Sequence, residues 1–195
     1  MKKLVLITLA ILLSLTLAAC GSDSDKEVKD NGNVTEKEND NGTKSLTKDF
    51  KKEDLIDLAE KAFEGIGDLP MGATALEEVD LSDVETVNYI TGLLSTDNVE
   101  VIVRSMPAMA LGFEFALIKA NDDADIEAMK QEIIDNVDPV KWICAVAEMT
   151  YVSDYGHVII LVMADPKEMA DEIYKGLETA TENKLGKRLE KEGKL

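Results

Sequence analysis

MTYVSDYGHVIILVMADPKEM, residues 149–169, decides the fold. Residues 149–153 and 157–163 are two short runs rich in branched and aromatic side chains, split by Asp154-Tyr155-Gly156, and read as a hairpin. The second run is apolar at nearly every position, so neither face suits water and the strand belongs in the centre of a sheet. Asp165 is then expected as a helix N-cap, with Pro166 at the first helical position and Glu168 completing a capping box. Met169, Ile173, Leu177 and Ala180 follow as the buried stripe of that helix.

Working outward, the same two periods recur. Residues 50–64 place Leu55, Ile56, Leu58, Ala59, Ala62 and Phe63 at helical spacing before Gly65 and Gly67. Residues 80–92 form a shorter helix on Leu81, Val84, Val87 and Ile90, stopped by Gly92. Val99, Val101 and Val103 alternate with Glu100, Ile102 and Arg104 as a half-buried strand. Residues 113–119 are a second strand, and "NDDAD" opens a helix on Ile126, Met129 and Ile133. Hairpins with intervening helices predict an α+β fold: a single small domain, an antiparallel sheet with helices packed on one face, behind a disordered tether.

The tether follows from the other end of the chain. Lys2 and Lys3, an apolar run over residues 4–17, and Ala18-Ala19 before Cys20 give the order of a secretory signal. A cysteine in that register resembles a bacterial lipobox, so Cys20 is the expected lipidation site and residues 1–19 the signal peptide. A diacylglyceryl group supplies the two chains that stable anchoring requires. Residues 20–49 are polar and too poor in large apolar side chains to offset the entropy of ordering. The globular domain is expected over residues 50–182 and a basic tail over 183–195.

Residues 50–182 hold 29 Asp+Glu against 9 Lys+Arg. Such a surface excludes nucleic acid and anionic lipid as partners of the domain. His157 is the sole histidine, which leaves histidine-based catalysis one residue at the edge of an apolar strand. Cys144, in "VKWICAVA", is expected to be a buried, inert thiol. "NDDADIE", residues 121–127, lacks the glycine and late glutamate of a calcium loop, and its acids read as helix capping. No catalytic set, metal site or cofactor is expected. The least ordinary segment is "SMPAMALGF", residues 105–113, a connection with almost no polar side chain. Met106, Met109 and Leu111 are its candidate binding lip, with core packing as the alternative.

The segments "LIDLAEKAF", "VEVIVRSMPAMA", "FEFALIKA", "DPVKWIC" and "YGHVIILVMADP", in this order, resemble a family of bacterial lipoproteins, the domain of unknown function 4358. Glu114 matches the glutamate that the family places early in the second strand, while Asp138-Pro139 stands where members often carry tyrosine-proline. The resemblance implies lipid anchoring and a small α+β domain, and transfers no catalytic residue. The function expected is a non-catalytic interaction or ligand-binding module. It would sit on the extracytoplasmic face of a Gram-positive cell membrane and meet an envelope protein or a cell-wall ligand. The alternative is a carboxylate-based or metal-assisted hydrolase.

Overall fold

The computed structural model describes residues 45–107 and 111–194. Six strands form one sheet in the order β1-β2-β3-β5-β4-β6, with every neighbouring pair antiparallel. The strands are β1 (Leu76–Glu78), β2 (Val99–Ser105), β3 (Glu114–Ala120), β4 (Met149–Tyr155), β5 (Val158–Ala164) and β6 (Leu189–Glu192). The helices are α1 (Lys52–Phe63), α2 (Val84–Thr91), α3 (Ile126–Asn136) and α4 (Lys167–Ala180). The α+β class and the antiparallel sheet are those expected, and β5 is central as its composition requires.

The placement of the helices is different. Every residue of β3 and β5 is buried. Phe115, Leu117, Val158, Ile160 and Val162 pack beneath α1 and α4, whereas Ala116, Ile118, Ile159, Leu161 and Met163 pack beneath α2 and α3. The helices therefore cover both faces of the sheet, not one. Burying one such side chain is worth about 1.5–3 kcal/mol. Leaving Ile118, Ile159 and Leu161 bare would forfeit several kcal/mol, so two strands without a polar face require two helical layers. A register shift between Val99 and Val101 serves the same end, because it puts Val99 with Ile102 in the α2/α3 layer and leaves Val103 in the other.

Local capping explains where three helices begin. Asp54 Oδ2 accepts the Lys51 backbone N–H at 2.7 Å, Asp83 Oδ1 accepts that of Thr86 at 3.1 Å, and Asp125 Oδ1 accepts that of Ala128 at 3.1 Å. The acids of "NDDAD" thus include the cap that was expected. Helix α4 departs from its expected start. Pro166 occupies the N-cap position, Asp165 makes no cap, and the helix begins at Lys167. Proline has no side-chain acceptor, and Asp165 lies one residue too early to serve. The orphan Lys167 N–H goes instead to Glu148 Oε2 at 2.8 Å, which the pairing of Met149 with Ala164 brings alongside.

The domain is also longer than its composition suggests. Residues 189–192 form β6 on the edge of β4, so the basic segment is part of the sheet. Arg188 lies over the rings of Tyr151 and Tyr174, 4.2 and 4.5 Å from their centroids. Lys191 Nζ donates to the carbonyls of Ile134, Asp135 and Val137 at the end of α3. Buried Lys130 binds Asp154 at 2.5 Å and the Lys187 carbonyl at 3.0 Å. At the other terminus, buried Thr47 accepts the His157 N–H at 2.7 Å, so the folded region begins before residue 50.

Candidate functional site: an apolar finger beside a cleft

Residues 137–148 connect α3 to β4 and fold back on themselves. The Ala147 N–H donates to the Pro139 carbonyl at 2.9 Å, and Trp142 and Ala145 pair as an antiparallel bridge. Ile143 and Cys144 are left at the tip of this finger. The Ile143 side chain is fully exposed, at 101%. Two glycines clamp the base. A Cβ on Gly112 would lie 2.3 Å from the Val146 carbonyl oxygen, and one on Gly193 would lie 2.0 Å from that of Ala147. Only glycine lets the β2–β3 connection and the end of β6 approach the finger so closely.

Beneath the finger, Lys141 points inward. Its side chain and that of Glu114 are each 3% exposed, and Lys141 Nζ lies 3.2 Å from Glu114 Oε2. Nζ also donates to the carbonyls of Tyr89 at 3.0 Å and Ile90 at 3.1 Å, in the last turn of α2. Those carbonyls form the negative end of the helix dipole and suit a cation. The rings of Tyr89 and Trp142 each have their centroid 5.0 Å from the ammonium. On the far side, Arg104 Nε is 3.5 Å from Glu114 Oε1. Burial pushes the Glu114 carboxyl above its ordinary value of 4.5, against the pull of Lys141 and Arg104. Burial pushes the Lys141 ammonium below its ordinary value of 10.5, against the pull of Glu114. Desolvation is thus the larger effect on both partners, as is usual for buried ion pairs.

The finger forms one wall of an open cleft of about 840 Å³. Leu111, Val140, Trp142 and Ile143 supply its apolar surface, while Glu148 and Asp165 stand in its lining as carboxylates. Half-exposed Tyr89 hydrogen-bonds the Lys141 carbonyl at 3.4 Å and adds an aromatic surface next to the finger. Such a volume, with a lining that mixes apolar side chains and carboxylates, is large enough for the docking of a ligand or a protein segment.

The sequence-derived candidates fall unevenly on this site. Leu111 lines the cleft at 40% exposure. Met106 is 41% exposed just after β2 and is not among the lining residues. Met109 and Cys20 lie outside the described residues. Cys144 is exposed in the cleft wall, so its expected burial is corrected: its apolar neighbours form a surface turn rather than a strand or helix. His157 precedes β5 and Asp165 follows it, so the histidine sits at the opposite end of that strand from the cleft; its Nδ1 is buried without a partner. Among the described residues, no group of three His, Cys, Asp or Glu side chains is placed to hold a metal ion, and no helix is long and apolar enough to cross a membrane.

Ile143, Val140 and Lys141 belong to the site without being among the residues expected from the sequence. The available signal was "DPVKWIC", a lysine embedded in an apolar run directly after a helix-ending Asp-Pro. Comparison with family models, with curated proteins and with solved structures found no match to this chain.

Proposed function

We propose that this chain is a lipid-anchored, extracytoplasmic interaction module of the kind its resemblance to the domain of unknown function 4358 lipoproteins implies. Its docking face is the finger and the adjoining cleft. The observation that carries this reading is Ile143: a branched apolar side chain held fully in water at the tip of a clamped turn, beside exposed Val140 and Leu111. A contiguous apolar surface of this kind marks a contact site. The partner is an envelope protein or a cell-wall ligand that offers an apolar element to the cleft. Cys20 carries the lipid, and the acidic surface keeps the domain off anionic headgroups.

The hydrolase alternative has less to stand on. Glu148 commits an oxygen to the α4 N-terminus, and Glu114, with its raised pKa, lies beneath Lys141 rather than in the cleft lining. A photoreactive residue placed at position 143 in intact cells tests the docking reading. It should give discrete adducts that weaken when Val140 and Leu111 are changed to Ser, and a control at exposed Lys175 should not. The same adducts from both positions would refute it.

A further inference from the structure

We propose that the cleft takes a cationic polypeptide segment, in which an arginine seats its guanidinium between Glu148 and Asp165 while neighbouring apolar side chains pack on the finger. The inference rests on the docking reading above and adds the chemistry of the partner.

The two carboxylates are brought together by the sheet. The β4–β5 ladder runs to Met149 opposite Ala164, so Glu148 and Asp165 are the next residues on the two strands and face one another just past its end. Residues so placed have Cβ atoms about 4.5–5.5 Å apart, and like charges there repel. Both residues are exposed and both line the cleft. Glu148 commits Oε2 to the Lys167 N–H at 2.8 Å, which leaves Oε1. The Asp165 carboxylate has no hydrogen-bond or ion-pair partner among the described residues.

The cations of the neighbouring chain are engaged elsewhere. Among the described residues, no lysine or arginine lines the cleft. Lys141 is turned inward onto Glu114, with its side chain 3% exposed. Lys167 Nζ lies 2.6 Å from Asp171 Oδ2, and Lys194 Nζ lies 3.0 Å from Glu192 Oε2. The pair Glu148 and Asp165 is therefore left unneutralised, in a folded region that is itself acidic. That field attracts a cationic partner and repels anionic wall polymers.

Leu111, Val140, Trp142 and Ile143 make up the apolar side of the same cleft. A free amine or metal ion would use the carboxylates alone and leave Ile143 in water. A polypeptide satisfies both halves, because adjacent residues offer a cation and an apolar side chain to one site. Arginine suits the carboxylate pair better than lysine does. Its planar fork of N–H donors can bridge two carboxylates, whereas an ammonium is a compact point charge.

The probe is a positional-scanning library of acetylated hexapeptide amides without tryptophan, titrated against the full chain. Trp142 is the only tryptophan of the chain and lines the cleft, so its emission reports occupancy. Pools that fix arginine should change the emission at the lowest concentration, ahead of lysine pools and well ahead of neutral ones, with acidic pools inert. Glu148→Gln/Asp165→Asn should weaken the best arginine peptide by about tenfold or more, as loss of charge-assisted hydrogen bonds does. The glutamine amide oxygen can still accept the Lys167 N–H, so the start of α4 is retained. Citrulline in place of arginine in the peptide should weaken binding to the wild type equally, and binding to the variant no further. Asp57→Asn/Glu60→Gln removes two charges from α1, outside the lining, and should keep the affinity within about twofold at physiological salt, where charges not in contact are screened.

Equal loss from the two double variants would mean bulk attraction and would overturn the proposal, as would neutral or acidic pools binding best, or no pool binding. Soluble peptidoglycan fragments should leave the emission unchanged; if they alone change it, the occupant is the wall and the proposal falls. The docking reading fails separately. Adducts from position 143 that form in cells and persist undiminished in Glu148→Gln/Asp165→Asn would leave the docking face standing and end the arginine assignment.

Discussion

Glu148 does for α4 from another part of the chain what Asp83 and Asp125 do for α2 and α3 from within them. Losing an N-cap acceptor costs about 0.5–2 kcal/mol. Glu148→Ala should lower stability by that amount in denaturant titration, whereas Asp165→Ala, at an exposed residue that makes no cap, should stay within about 0.5 kcal/mol. Equal effects from the two substitutions would show that the cap has been assigned to the wrong acid. The local pattern Asp-Pro-x-Glu favoured Asp165, and nothing within the helix points to Glu148. That contact exists only because β4 and β5 pair, so it is a tertiary property invisible to a capping rule. Gly112 makes a similar point. Gly112→Ala forces a Cβ against the Val146 carbonyl, and overpacking of this kind costs about 1–3 kcal/mol. Thermal denaturation should show the loss, with Trp142 emission shifted as the finger moves.

At the scale of elements, legibility divides by how far each one depends on distant partners. The central hairpin and the helices were readable because their own side chains demand burial at period two or near four. The two-sided helical cover follows from β5, whose seven residues leave no polar face. β6 was not legible: "LEKE" is a lone leucine followed by three charges and looks like solvated tail. What makes it a strand is the free edge of β4 together with the carbonyls that Lys191 finds at the end of α3. Hydrogen bonds from a charged donor contribute about 1.5–3 kcal/mol. Lys191→Met should lower stability by an amount of that order and deprotect the last turn of α3 in hydrogen exchange. Unchanged protection there would mean that β6 is merely laid against the sheet. The finger was half legible. Its apolar character is written in "VKWICAVA", but whether such a run is core or surface depends on the two glycines that clamp it from elsewhere in the chain.

At the scale of the whole folded unit, the two ends of β5 meet different parts of the chain. Thr47, where the described chain begins to pack, bonds to His157 just before β5, while Asp165 in the cleft lies just after β5. Seven strand residues at about 3.3 Å each separate those ends by roughly 20 Å. The cleft and the Thr47 contact therefore lie at opposite ends of β5. Under the proposed reading, Cys20→Ser should remove the protein from the membrane fraction while leaving the thermal midpoint and circular dichroism of the folded region unchanged. The buried side chains of its two cores lie between Leu55 and Leu177. Adducts from position 143 should fall in the same cells if the partner lies in the envelope, because release dilutes the module away from it. Mass spectrometry of the mature N-terminus is the direct measurement, and it should find a diacylglyceryl group on Cys20. An unmodified N-terminus at another residue, or a Cys20→Ser protein that remains in the membrane fraction, would dissociate the docking face from any lipid anchor.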